Sequence, residues 1–168
     1  MSSPTPYKVL CVCLGNICRS PTAEVVLRQQ CDEHKLSVWV DSAGTSNYHP
    51  GKAPDTRSQE HAQRRGYDLS LLRARQLTHD DFIKFDLILA MDLENLTDIQ
   101  ALAQEAKRRY GRINAEIALM SEHDERYPRQ ALPDPYYGGA QGFERVLDQC
   151  ESSAAGWVKV FQKQGLKA

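Results

Sequence analysis

Apolar and polar positions along this chain alternate between two periods, and each change of period marks an element. Tyr7 to Val12 is an almost continuously apolar run with β-branched residues, the pattern of a strand buried on both faces. Ser20 offers a cap hydroxyl, Pro21 suits a first helical position and Glu24 lies near the positive helix end, so a helix is predicted from Ser20. Ala23, Val26, Leu27, Gln30 and Cys31 form its inner face. A second short strand is predicted over 37–42, running into Ala43-Gly44-Thr45 and a polar loop with Tyr48, His49, Pro50 and Gly51.

Asp55 is placed to cap a polar helix ending near Gly66, and Thr78 to cap a short one with Asp80 and Asp81 in its first turn. Asp86 to Met91 reads as a third buried strand, with Asp92 at its carboxyl end. Leu96, Ile99, Ala103, Ala106 and Tyr110 recur at helical spacing from about Glu94, and Gly111 stops that helix. Ala115 to Met120 is a fourth strand. Residues 121–142 are polar and rich in Pro and Gly, and Phe143, Val146, Leu147, Cys150, Ala154, Trp157 and Phe161 trace a closing amphipathic helix.

Strands alternating with helices predict an α/β fold, a four-stranded parallel sheet flanked by helices on both faces. Ligands in such folds bind at the carboxyl ends of strands. The loop after the first strand, Ser42-Ala43-Gly44 and Asp92 all fall at such ends.

With 168 residues, 41% of them hydrophobic, the chain is expected to form a single domain over 1–168, with 1–6 as a flexible tail. The 21 basic and 22 acidic side chains leave a net charge of −1, so no long-range field recruits nucleic acid or an anionic membrane, and anion binding must be local. No apolar run approaches the roughly 18 residues that span a bilayer, and no leader pattern opens the chain, which predicts a cytoplasmic protein without membrane insertion. Five irregularly spaced cysteines fit reduced thiols better than a disulfide framework.

The chemistry gathers in Cys13-Leu14-Gly15-Asn16-Ile17-Cys18-Arg19-Ser20-Pro21. A bare Cys-x5-Arg match is weak, but here it lies between a buried strand and a helix N-terminus and contains Gly15. That geometry turns backbone N–H groups inward as an anion nest. Such surroundings, with Arg19 adjacent, favour a thiolate at Cys13. No His is adjacent in sequence, which disfavours a protease-like Cys/His dyad. Arg19 presents a fork of donors suited to two phosphoryl oxygens, and Ser20 is expected both to donate to the thiolate and to cap the helix.

Cys18 is either a packing residue or a redox brake that traps an oxidised Cys13 as a disulfide. Cys11, Cys31 and Cys150 read as core, and Cys11, Cys13 and Cys18 fit zinc-finger spacing poorly, so no metal and no cofactor are expected. A leaving alkoxide needs a proton that the loop cannot supply. Asp134, before Pro135 in an extended Gly-flanked segment, is the best candidate acid, and an anion bound nearby would favour its protonated form. Tyr136 and Tyr137 beside it either line a slot for an aromatic ring or pack on the surface.

Val-Cys-Leu-Gly-Asn-Ile-Cys-Arg-Ser-Pro near one end and Asp-Pro-Tyr-Tyr-Gly near the other resemble the low-molecular-weight protein tyrosine phosphatases. The resemblance extends over Asp41-Ser42-Ala43-Gly44-Thr45, Ala74-Arg75-Gln76, Met91-Asp92 and Asn95-Leu96, nearly the whole chain. It implies Cys13 as nucleophile, Arg19 as phosphate clamp, Ser20 as thiolate partner and Asp134 as general acid. It also implies that Asn16 holds the loop through hydrogen bonds reaching Ser42, with Asp92 as further support, and that Tyr48 and Tyr136 flank the substrate ring. Ile17 goes, in that family, with phosphotyrosine rather than phosphoarginine. Leu72 stands where many relatives carry His, which implies an incomplete network behind the loop.

The expected activity is hydrolysis of protein phosphotyrosine and small aryl phosphates through a cysteinyl-phosphate, inhibited by inorganic phosphate or vanadate and sensitive to oxidation. A thioredoxin-coupled arsenate reductase is a rival, although it needs two further relay cysteines and this chain has none between Cys31 and Cys150. An inactive phosphate-binding module is another, although it could dispense with Cys13 and Asp134.

Overall fold

The computed structural model describes residues 5–135 and 138–167. Tyr136 and Tyr137, and the first four residues of the expected tail, lie outside the described residues. Strands β1 (Tyr7–Cys13), β2 (Val38–Gly44), β3 (Leu87–Ala90) and β4 (Glu116–Leu119) form one parallel sheet in the order β2-β1-β3-β4. Register is set by pairs such as Cys11 with Ser42 on one side and Cys11 with Leu89 on the other. Helices α1 (Arg19–Glu33), α2 (Thr56–Gln63), α3 (Asp81–Lys84), α4 (Leu93–Tyr110) and α5 (Gly139–Lys163) complete the chain. The strand order reverses between β1 and β3, so the loops leaving their carboxyl ends diverge and open a crevice there.

The sheet separates two apolar layers. Val9, Cys11, Leu87 and Leu89 face α1 and α5, while Leu10, Val12, Ile88 and Ala90 face Phe82, Phe85 and the inner face of α4. Every apolar position expected on the closing helix is buried, and Trp157 Nε1 donates to Met120 O at 2.8 Å. Burying a side chain the size of Phe161 contributes about 1.5–3 kcal/mol, so Phe161→Ala would loosen α5 from the sheet. Among the described residues no helix is long and apolar enough to cross a membrane.

Several local expectations hold. Asp55 caps α2, its side chain accepting from the N–H groups of Arg57 and Ser58. Gly111 ends α4 in the left-handed region at φ 81°, and at the other end of that helix the structure adds a cap that was not expected, Asp92, whose side chain accepts the Asn95 N–H. Others do not. α1 begins at Arg19 with Cys18 at the cap position and no side-chain capping bond, because the Ser20 hydroxyl is drawn to Cys13. Thr78 does not cap α3 with its side chain. Its N–H and hydroxyl instead donate to the Asp81 carboxylate at 2.8 and 3.3 Å. Glu24, expected beside the helix N-terminus, is 2% exposed and points back at β2.

Candidate active site

β1 delivers Cys13 to the crevice, and the turn that follows folds over its sulfur. Ser20 Oγ lies 3.0 Å from Cys13 Sγ, and the Asn16 N–H donates to the sulfur at 3.3 Å. Asn16 sits in the left-handed region at φ 59°, a conformation asparagine tolerates better than most residues. Its side chain is held at both ends, Nδ2 donating to Ser20 Oγ at 2.8 Å and Oδ1 accepting from the Arg75 N–H at 3.1 Å.

The far side of the turn rests on the end of β2. Thr45 N–H donates to Cys13 O at 2.9 Å, and Ser46 donates to Leu14 O through both its N–H and its hydroxyl. A side chain at Gly44 would place its Cβ 2.7 Å from Leu14 O, so the close approach requires glycine.

Arg19 opens α1 and is 9% exposed. Its Nη1 donates to Asp92 Oδ2 at 2.7 Å and to Leu132 O at 3.2 Å. Leu132 in turn belongs to the segment carrying Asp134, which is fastened by Leu132 N–H to Met91 O and by Ser121 and Gln149 side chains to Gln130 O. These ties bring Asp134 to the crevice despite its distance in sequence. The result is a cleft of about 140 Å³ lined by Cys13, Leu14, Gly15, Ile17, Cys18, Arg19, Tyr48, His49, Asp134 and Pro135. Wider recesses of about 410 and 400 Å³ lie against α5 and α2, and neither contains a thiol.

Of the residues expected at the site, Cys13, Leu14, Gly15, Ile17, Cys18, Arg19, Tyr48 and Asp134 line this cleft, whereas Asn16, Ser20, Ser42 and Asp92 stand behind it. Tyr136 and Tyr137 fall outside the described residues. Two expectations about support are corrected. The hydrogen bonds of Asn16 run to Ser20 and Arg75 rather than to Ser42, because the Ser42 hydroxyl is engaged by Glu24 Oε1 at 2.6 Å. The network is also closed without a His at position 72. Leu72 packs half-buried against the core, and Thr45 Oγ1 and Asn95 Oδ1 are the buried side-chain polar atoms without a partner among the described residues.

Five residues to which the sequence assigned no site role lie in or behind the cleft. His49 and Pro135 line the cleft beside the expected Tyr48 and Asp134, and adjacency to those residues was the available signal. Arg75 holds Asn16 through a backbone N–H, which no side-chain pattern reveals. Glu24 bonds Ser42, and Arg28 pairs with Glu24 while donating to Val40 O at 2.6 Å, so α1 is pinned to β2 directly behind the turn. Burial pushes the Glu24 carboxyl above its ordinary value, with the Ser42 hydrogen bond and the Arg28 charge opposing. Burial likewise raises the thiols of Cys11 and Cys150, and that of Cys31 to about 12. All five cysteines are thiols, and among the described residues no cluster of His, Cys, Asp or Glu is arranged to hold a metal ion.

Residues 8–167 match the family described as Low molecular weight phosphotyrosine protein phosphatase. The low molecular weight phosphotyrosine protein phosphatase of Homo sapiens is 43% identical over 154 residues, covering 89% of this chain and 92% of the human protein. A crystal structure of a protein tyrosine phosphatase from Entamoeba histolytica, with Hepes in its active site, superposes with a TM-score of 0.83 at 35% identity, covering 95% of this chain and 99% of that one. The crystal structure of a Drosophila arginine phosphatase superposes with a TM-score of 0.85 at 30% identity, covering 92% and 98%. A match that runs from β1 to the end of α5 takes in both walls of the cleft, and the chain belongs to the low molecular weight phosphotyrosine protein phosphatases.

Proposed function

We propose that this chain hydrolyses phosphotyrosine in proteins, and small aryl phosphates, in two steps through a cysteinyl-phosphate on Cys13. The observation that carries the reading is the meeting of Cys13, Arg19 and Asp134 in one cleft. In the first step the Cys13 thiolate attacks phosphorus in line, forming the S–P bond as the P–O bond to the tyrosyl oxygen breaks, and Asp134 gives that oxygen its proton. In the second, Asp134 takes a proton from water as the water attacks phosphorus, the S–P bond breaks, and inorganic phosphate leaves with the thiolate restored.

The surroundings support each role. Nη1 of Arg19 is engaged by Asp92 and Leu132, while Nη2 and Nε, which bond no partner among the described residues, are assigned to two phosphoryl oxygens, a bidentate clamp that keeps its position through the reaction. Because the Asn16 amide donates to Ser20 Oγ, the Ser20 hydrogen is available to the sulfur, stabilising it as attacking thiolate and as leaving group. Backbone N–H groups of the turn at the start of α1 add partial positive charge. Tyr48 and Tyr136 are assigned to flank the aromatic ring, and Ile17 to favour phosphotyrosine over phosphoarginine.

Initial rates on para-nitrophenyl phosphate, a phosphotyrosine peptide and a phosphoarginine peptide test the assignment. Cys13→Ser should abolish turnover, and full activity in that variant would overturn the mechanism. Asp134→Ala should slow turnover while leaving a phosphoenzyme that can be trapped. Vanadate and inorganic phosphate should compete with substrate. A faster rate on phosphoarginine would move the chain to the substrate class named for its Drosophila structural relative.

A further inference from the structure

Residues 74–77 cross behind the cleft between α2 and α3, alongside the end of β2. The Gly44 N–H donates to Arg75 O and the Leu77 N–H to Gly44 O, both at 2.8 Å, and Gly44 and Gln76 form a parallel bridge. Between these contacts the Arg75 N–H turns toward Asn16 Oδ1 at 3.1 Å. A backbone N–H can only donate, so the atom of Asn16 that faces it must be the oxygen, and Nδ2 is thereby directed to Ser20 Oγ. Ser20 Oγ, accepting there, turns its own hydrogen toward Cys13 Sγ at 3.0 Å in preference to Ala43 O at 3.4 Å. The direction of every donor in this relay is set at its far end, by Arg75.

What fixes Arg75 is its own side chain. The guanidinium takes the Asp81 carboxylate with both nitrogens, Nη1 at 3.0 Å and Nη2 at 3.1 Å, and Nη2 also reaches Asp41 Oδ2 at 3.3 Å. Asp81 is 4% exposed and is further held by Thr78. A bidentate pair on a buried carboxylate fixes orientation as well as distance. Asp41 lies on β2 and Asp81 on α3, so the cluster locks segment 74–77 to both of its neighbours.

We infer that Arg75, held by Asp81 and Asp41, is a positioning residue of the active site whose ion cluster aims the Asn16–Ser20 relay at the sulfur of Cys13. The inference rests on the reading of Cys13 as nucleophile. Its test uses Arg75→Lys, which keeps the charge and loses the fork, and Asp41→Asn, which leaves the Asp81 pair in place. For each variant kcat and KM on para-nitrophenyl phosphate are measured, together with the pH dependence of Cys13 carboxymethylation by iodoacetate, followed by mass spectrometry, and thermal unfolding.

Arg75→Lys should lower kcat about tenfold, with a smaller change in KM, as expected when a reacting group is displaced by a fraction of an ångström. The midpoint of Cys13 alkylation should move to higher pH, because the thiolate loses aligned donors. Asp41→Asn should change both quantities in the same direction and by less. An unchanged midpoint overturns the inference, whether kcat is preserved or falls only with the fraction unfolded, since a purely structural ion pair would not touch the sulfur. Cys13→Ser assayed alongside separates the two claims: retained activity there removes the nucleophile, whereas an inactive Cys13→Ser beside unaltered Arg75 and Asp41 variants removes the positioning role alone.

Discussion

Arg19 Nη1 lies 2.7 Å from Asp92 Oδ2 and 3.2 Å from Leu132 O, so a single guanidinium nitrogen joins the end of β3 to the segment that carries Asp134. Asp92 performs a second task at the same time, accepting the Asn95 N–H at 2.6 Å as the cap of α4. The two tasks can be pulled apart. Asp92→Ala should lose about 1 kcal/mol of stability with the cap and also release Arg19. Asp92→Asn should keep the cap and most of the stability but still lower kcat/KM, because the guanidinium is no longer oriented by a charge. Denaturant titration beside steady-state kinetics checks this, and a fully active Asp92→Asn would show that the pairing does not position Arg19.

Gly44 makes a steric prediction. A Cβ there would lie 2.7 Å from Leu14 O and 3.1 Å from the Asn16 nitrogen, both backbone atoms of the turn around Cys13. Gly44→Ala should therefore cost about 1–3 kcal/mol, the range for overpacking, and reduce kcat more than a cavity of similar energy elsewhere. Comparison with Phe161→Ala, which disturbs the core far from the cleft, separates the local effect from general destabilisation.

The cysteines should divide sharply toward alkylation. Cys11, Cys31 and Cys150 are fully buried and burial raises their thiols, whereas Cys13 opens onto the cleft. Iodoacetate at neutral pH should label Cys13 in the folded protein and all five sites after unfolding. Peroxide should inactivate the enzyme in a form that dithiothreitol restores, with Cys18→Ser recovering less, if Cys18 traps the oxidised nucleophile. Equal recovery in that variant would assign Cys18 to packing.

Glu24 predicts a pH dependence of stability. Because burial holds its carboxyl above the ordinary value, the native state keeps a proton that the unfolded chain gives up. Its contribution is fully present below the unfolded glutamate value of about 4.3 and is lost as pH rises through the raised native value. Glu24→Gln cannot ionise, so its stability relative to the parent should grow as pH is raised from about 4 toward neutrality. Urea unfolding across that range measures the difference, and a parent that instead gains on the variant would show the Arg28 pairing outweighing burial.

Much of this architecture was legible without coordinates, and particular residues show why. Tyr7 to Val12 reads as a strand because a buried strand is apolar on both faces, and the seven apolar positions from Phe143 to Phe161 read as a helix because one stripe of it meets the sheet. Asp55 and Gly111 announce helix ends because a cap is a bond between near neighbours. The turn from Cys13 to Ser20 and the remote Asp134 could be singled out from the chemistry they would need together.

The partners of several polar groups were not legible. Ser20 meets the Cys13 sulfur as expected but does not cap the helix as well; Thr78 donates to Asp81 through both its N–H and its hydroxyl rather than capping α3; Asn16 is answered by a backbone N–H fifty-nine positions away rather than by Ser42. Leu72 proved compatible with a closed network because Arg75 and Glu24 supply it from other segments. Hydrophobic periodicity is a property of each residue against a common solvent, so the sequence by itself determined which faces are buried and which loops emerge together. A hydrogen bond between remote segments depends on two groups whose separation and direction exist only after the strands have paired, and so the tertiary structure alone decided how the turn around the Cys13 sulfur is held from behind, by Arg75 on Asn16 and by Glu24 on Ser42.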